Sequence, residues 1–234
     1  LVVEHSGSTE RMRITSAGEV GIGETSPGNG IPLHIKHGAA DRTLIKLENT
    51  NADNYPARIT FVKTSASVAN DDDIGKIDFY GKDSAGNSDR YALLRAKIID
   101  ITSGSEDAAL IFSTLVNGSN VDTMRITGGR VGIGETAPAY NLVVKGSGNA
   151  VLQIRAGDTS WSAIYFGETS TAYRGIIQYN HNDDYMALYT ASSERWRYHN
   201  NGRQTYNHSS TSNGHVNFVG EVGGNMKAIS FEYQ

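Results

Sequence analysis

The chain has 234 residues, no cysteine, 26 glycines, 38% hydrophobic residues and a net charge of −4, with a pI near 6.0 and a mean hydropathy of −0.40. No cysteine means no disulfide framework and no thiolate zinc site; an acidic balance without Lys/Arg clusters makes nucleic acid an unfit partner, and no apolar run approaches the roughly 18 to 20 residues of a membrane span. The apolar residues come in strand-length bursts, which predicts several thin cores and disfavours a compact α/β enzyme.

Residues 1–32 read as the end of an incomplete preceding module. The chain starts at Leu1, without a basic or apolar leader, and reads as a fragment or processed product. Glu10-Arg11-Met12-Arg13-Ile14 leads through a Ser16-Ala17-Gly18 turn into Glu19-Val20-Gly21-Ile22-Gly23-Glu24-Thr25-Ser26-Pro27. Alternation places Met12, Ile14, Val20, Ile22, Leu33 and Ile35 on one sheet face, and Arg11, Arg13, Glu19, His34 and Lys36 on the other.

A first β module, 33–128, has strand-like bursts at Leu44-Ile45-Lys46-Leu47, Arg58-Ile59-Thr60-Phe61, Gly75-Lys76-Ile77-Asp78-Phe79, 91–101 and Leu110-Ile111-Phe112-Ser113, and closes on Met124-Arg125-Ile126. A second connector, 129–141, repeats the first as Val131-Gly132-Ile133-Gly134-Glu135-Thr136-Ala137-Pro138. The second module, 142–201, follows with Val151-Leu152-Gln153-Ile154, Ala163-Ile164-Tyr165-Phe166, Gly175-Ile176-Ile177-Gln178-Tyr179 and Ala187-Leu188-Tyr189-Thr190. It lacks a counterpart of 91–101 and closes on a degraded copy, Glu194-Arg195-Trp196-Arg197-Tyr198, with Trp196 where Met12 and Met124 stand. Residues 202–234 leave the repeat and read as a C-terminal tip or clamp.

Short β-branched and aromatic runs between turn residues such as Asn117-Gly118 and Asn201-Gly202 predict an all-β chain of short antiparallel strands. Only Ala92 to Ile99 has even modest helical propensity. A sheet with one apolar face must bury it against a second layer, and neither module contains a helix to do so. Identical copies supply that layer without new sequence. A closed three-chain arrangement also covers edges that a flat pair of sheets leaves open. The expected architecture is an elongated, intertwined homotrimeric β-prism or β-sandwich fibre. Met12, Ile14, Val20, Ile22, Met124, Ile126, Val131, Ile133 and Trp196 are expected in its core. Gly21, Gly23, Gly132 and Gly134 are expected to allow close backbone approach or passage to a neighbouring subunit, with Pro27 and Pro138 ending the extended connector.

The run Arg11-Met12-Arg13-Ile14 through Val20-Gly21-Ile22-Gly23-Glu24-Thr25-Ser26-Pro27 to Leu33-His34-Ile35 resembles a strand-and-turn repeat of bacteriophage tail fibre and tailspike proteins. The stretch from Tyr173-Arg174-Gly175 to Glu194-Arg195-Trp196-Arg197 is similar to a second segment that often precedes that repeat. The resemblance implies a homotrimeric β-rich shaft or tip in the virion tail, extracellular, associated with other phage tail proteins and contacting bacterial surface polysaccharide, with no membrane insertion. A cleavable C-terminal chaperone and an N-terminal virion-attachment domain, both common in the family, are not seen in this sequence.

The Gly-rich segments 18–23 and 128–134 lack the helix that a phosphate loop requires. Asp71-Asp72-Asp73 and Asp183-Asp184 have the composition of a glycosidase carboxylate pair, but Asn/Asp-rich turns account for them. His181 with Asp183 and Asp184, or His199 with His208 and His215, are competent metal ligands but match no compact ligand spacing, so no metal or cofactor is expected. No Ser-His-Asp constellation or nucleophile elbow is present. Saccharide rings stack on aromatic faces, and Trp161 and Tyr165 alternate out of phase with Ile164 and Phe166. Trp161, Tyr165, Tyr206 and His208 are therefore the candidate receptor-binding residues. The expected function is structural and host-recognising, without enzymatic activity; a tailspike depolymerase of capsular or lipopolysaccharide chains and a bacterial surface adhesin are the alternatives.

Overall fold

The computed structural model describes residues 1–5, 9–39 and 43–206. Among these, every regular element is a strand: β1 (Val2–His5), β2 (Thr9–Ile14), β3 (Val20–Ile22), β4 (Leu33–Ile35), β5 (Asp73–Lys82), β6 (Ser88–Asp100), β7 (Asp107–Val116), β8 (Ser119–Thr127), β9 (Arg130–Ile133), β10 (Leu142–Val144), β11 (Trp161–Glu168), β12 (Thr171–Asn180), β13 (Tyr185–Thr190), β14 (Ser193–His199) and β15 (Gln204–Tyr206). The fold is all-β. The chain divides into two compact units, Leu1–Val131 with Thr136–Asn141, and Gly132–Glu135 with Leu142–Gln234.

In the first unit, β1 to β4 form one sheet in sequence order. Register aligns Met12 with Ile22 and Ile14 with Val20, and then Val20 with Leu33 and Ile22 with Ile35, so the six alternating apolar residues share a face. The β3–β4 pair is parallel, where antiparallel strands alone were expected. The connector makes this possible by returning the chain to the start of β3 rather than reversing it in a hairpin. Val20 N donates to Pro32 O at 2.8 Å and Lys36 N to Ile22 O at 2.9 Å. The second connector makes the same two bonds, Val131 N to Asn141 O and Lys145 N to Ile133 O, at 2.8 and 2.9 Å.

The connector glycines have a local role. A methyl on Gly21 would run into the Glu24 carbonyl oxygen, and one on Gly132 into that of Glu135. Gly23 and Gly134 both take φ +68, a left-handed conformation open to glycine at little cost.

Strands β5 to β8 form an antiparallel meander. Register places Ile77, Leu94, Phe112 and Met124 in one row, and Gly75, Ala96, Leu110 and Ile126 in the next row of that face. Leu93, Ser113 and Asp122 line up on the opposite face, as do Arg95 and Ile111. The buried residues of this meander, Leu93, Ala109, Ile111 and Ser113, lie on the charged face. They are roofed by long polar side chains: Arg95 reaches Asp122 at 3.3 Å, and Ser113 Oγ donates to Asp122 at 2.8 Å. Aliphatic stems of such residues cover apolar surface while their heads stay in water. The apolar face is left open, with Ile77, Phe79, Leu110, Phe112 and Ile126 all exposed. The stretch expected to be the most helical belongs to β6, because β5 and β7 pair with it on both sides.

In the second unit, β11 to β15 form a five-stranded antiparallel sheet with the same inversion. Ala187, fully buried, sits beside Arg197 on the polar face. Ile164, Ile177, Leu188, Trp196 and Tyr206 follow one another across the apolar face. Of these, Ile164, Ile177 and Tyr206 are exposed.

Three expected strands are not hydrogen-bonded in the single chain. Segments 44–47, 58–61 and 151–154 enter no sheet. By contrast Ala163 to Phe166, the repeat counterpart of 58–61, lies within β11 and pairs with β12.

Candidate functional site

The exposed aromatic group of the second unit is built on the β11–β12 hairpin. Trp161 and Tyr165, four residues apart on one strand, share the polar face, with Asn180 and Ile176 as their cross-strand neighbours. Trp161 Nε1 donates to Tyr165 Oη at 3.4 Å. Tyr173 joins them, its ring 5.8 Å from that of Tyr165 at an interplanar angle of 47°. All three rings are about half exposed, at 55%, 51% and 53%.

Tyr173 was missed by the sequence reading for a physical reason. An irregularity between Phe166 and Glu168 sets two residue steps on β11 against four on β12. Gly167 permits it, since a methyl there would strike the Ala172 carbonyl oxygen. A two-residue period carried through the hairpin does not anticipate that shift.

Polar groups adjoin the aromatic platform. Asn180 Nδ2 donates to Tyr185 Oη at 3.4 Å, and the Arg197 guanidinium lies 3.9 Å from the centroid of the Tyr185 ring. Arg197 also makes a bidentate contact with Glu194, at 3.0 and 2.5 Å, and that hydrogen bond raises its pKa. Tyr189 donates to Glu194 at 3.3 Å; desolvation first, then the Glu194 charge, raises the phenol's pKa. Rings beside amides and hydroxyls offer the two contacts a saccharide uses, a stacking face and hydrogen-bonding groups.

The remaining candidates fall elsewhere. Tyr206 stacks on Trp196 at 5.7 Å and 12°, on the apolar face away from Trp161. His208 and His215 lie outside the described residues. Met12, Ile14, Val20 and Ile22 share one face of the first sheet, while Met124 and Ile126 stand on the open face of the β5–β8 meander. Ile133 is exposed and Val131 half-buried. Trp196 Nε1 is buried without a hydrogen-bond partner.

The acidic clusters are engaged in local structure. Asp71, Asp72 and Asp73 pair with Lys97, Lys63 and Lys76 at 2.7, 2.9 and 2.6 Å. Hydrogen bonds from those lysines lower the pKa of Asp71 and Asp72, opposite to the raised value a general acid needs. Asp183 and Asp184 occupy the β12–β13 turn, where Asn180 Oδ1 accepts the Asn182 and Asp183 amides at 2.9 and 3.0 Å.

His181 Nε2 lies 2.9 Å from Ser162 Oγ, but Asp183 accepts from Asn182 and Asp184 from Tyr179. His199 contacts Thr205 and Arg203 at 3.0 and 3.3 Å; burial first, then the two neighbouring arginines, lowers its pKa. No group of three or more metal-ligating side chains occurs among the described residues.

Sequence reasoning also missed the connector clip. Lys36 Nζ meets Glu24 at 2.7 Å, and Lys145 Nζ meets Glu135 at 2.8 Å. The recurrence of this Glu and Lys in both connectors was the available signal.

No protein-family model matches this chain, and no curated protein matches it. Among solved structures, it is similar to the carboxy-terminal domain of the bacteriophage T5 L-shaped tail fibre at 15% identity and a TM-score of 0.32, over 79% of this chain and 100% of that one.

Proposed function

We propose that this chain is a structural and host-recognition segment of a bacteriophage tail fibre, in which three copies wrap about one axis and present aromatic platforms to bacterial surface glycan. It acts by binding rather than by cleaving. Its partners are two further copies of itself, other tail proteins and surface polysaccharide, and its place is the virion tail, outside the cell.

The observation that carries this reading is the inverted burial. The β5–β8 meander and the β11–β15 sheet hide a few small or apolar residues under charged side chains and leave much of their apolar faces uncovered, and in the β1–β4 sheet Ile22 and Leu33 stand exposed. Among the described residues the buried hydrophobic ones are Leu93, Ala109, Ile111 and Ala187. Uncovered apolar sheet faces mark an interaction surface, and the repeated connector ties them to the fibre-like sequence pattern.

The test is native mass spectrometry or sedimentation of the purified chain. The expected species is three times the chain mass of 25.3 kDa, about 76 kDa, persisting on dilution. A folded, protease-resistant monomer at micromolar concentration overturns the proposal.

A further inference from the structure

Segments 44–48 and 151–155 occupy the same place in the two modules and show the same anomaly. Neither forms a strand, and no backbone group in either makes a hydrogen bond to the chain among the described residues. Backbone amides and carbonyls are obligatory hydrogen-bonding groups, and a strand pattern left unpaired twice in one chain is a designed feature rather than a local accident.

The side chains repeat as well. Ile45 and Leu47 alternate with Lys46 and Glu48, as Leu152 and Ile154 alternate with Gln153 and Arg155. One residue in each segment touches its own unit. Leu44 helps line a hollow of about 350 Å³ with Ile22 and Ile35, and Ile154 one of about 140 Å³ with Ile164, Ile177 and Met186. All of these apolar side chains remain largely uncovered: Leu44, Ile45, Leu47, Val151, Leu152 and Ile154 are 51%, 61%, 52%, 75%, 70% and 43% exposed.

The sheets offer the complementary half. The β5–β8 meander has an apolar hollow of about 240 Å³ lined by Ile77, Leu94 and Leu110 together with Phe61 of the chain's own 58–61 segment, and among the described residues β5 pairs along one edge alone. In the second unit the outer edge of β11 is likewise free. Long unpaired edges invite strand addition.

Resting on the trimer reading above, we propose that segments 44–48 and 151–155 are inter-chain strands. Each is tethered to its own unit by one side chain and pairs over the rest of its length with a neighbouring copy. The occupant is a second copy of this chain because the same molecule carries both halves, twice: an amphipathic unpaired strand, and a sheet with an open apolar face and a free edge.

The first test uses the unaltered chain. In the assembled protein, amide hydrogen exchange at 45–48 and 152–155 is expected to be slowed at least about 100-fold relative to an unstructured peptide. Exchange at the free-peptide rate within an intact trimer overturns the proposal and leaves the trimer standing. The second test places the photo-crosslinker benzoylphenylalanine at Ile45 or Leu152. Covalent dimers and trimers on a denaturing gel support strand exchange; crosslinks confined within single chains of a trimer overturn it. A monomeric native mass sinks the trimer reading and this proposal together.

Discussion

Glu24 holds the connector closed with two contacts, one carboxylate oxygen 2.7 Å from Lys36 Nζ and the other accepting the Ser26 amide at 2.8 Å. The lysine hydrogen bond is the larger cause and the backbone bond the second, and together they bring the Glu24 pKa from 4.5 to about 2. A depressed carboxyl contributes stability that is complete above its unfolded value and is lost as pH falls through the folded one. The clip is therefore expected to stay closed at pH 4 and to open near pH 2. Carbon-13 NMR of the Glu24 carboxyl, followed with the Ser26 amide shift, reads this directly; a midpoint near 4.5 contradicts it. Glu24→Gln should leave the Ser26 amide insensitive to pH between about 2 and 4.5. The glycines and Pro27 of this connector stand out in sequence because their conformational roles are written in residue type. The clip does not, because a Glu and a Lys twelve positions apart become neighbours only through the parallel return of β4.

At the scale of the strand, two-residue alternation predicts which side chains share a face, and the registers of β2–β4 and β11–β12 follow it. Three features escaped that pattern: the parallel β3–β4 pair, the irregularity at Phe166/Glu168, and the unpaired segments 44–47, 58–61 and 151–154. Side-chain alternation reports which way a residue points and says nothing about who supplies the hydrogen bonds. The sharpest consequence lies at two adjacent residues of β7. Ile111 is 1% exposed beneath the charged roof, while Phe112 is 39% exposed on the open face. Ile111→Asp buries a charge and is expected to unfold the β5–β8 meander. Phe112→Asp leaves an isolated chain almost unaffected, but forfeits about 1.5–3 kcal/mol of burial per copy on assembly and adds the cost of desolvating a charge. Circular dichroism and native mass separate the two: Phe112→Asp should keep β structure and lose the trimer. Retention of the trimer by Phe112→Asp would mean that this face is not the one that assembles.

At the scale of the whole protein, the proposed assembly and recognition surfaces fall on opposite faces of the same sheet. In the second unit Ile164, Ile177 and Trp196 stand on one side, and Trp161, Tyr165 and Tyr173 contact one another on the other. A fibre needs this separation, because a receptor contact built from core residues would be consumed by assembly. The platform can therefore be altered without disturbing the trimer. Burying one aromatic ring beneath a sugar is worth about 1.5–3 kcal/mol, roughly ten- to a hundredfold in affinity at each site. Three linked sites multiply the effect through avidity. Trp161→Ala and Tyr165→Ala are each expected to keep native mass at three chains and to reduce retention on immobilised bacterial lipopolysaccharide or capsule at least tenfold, for whichever polysaccharide of a purified panel the unaltered protein binds. The same incubations should generate no new reducing ends over many hours, since a binder leaves its glycan intact. Sustained release of reducing ends would establish a depolymerase. Undiminished retention by both variants would move the receptor contact away from this hairpin while leaving the assembled fibre in place.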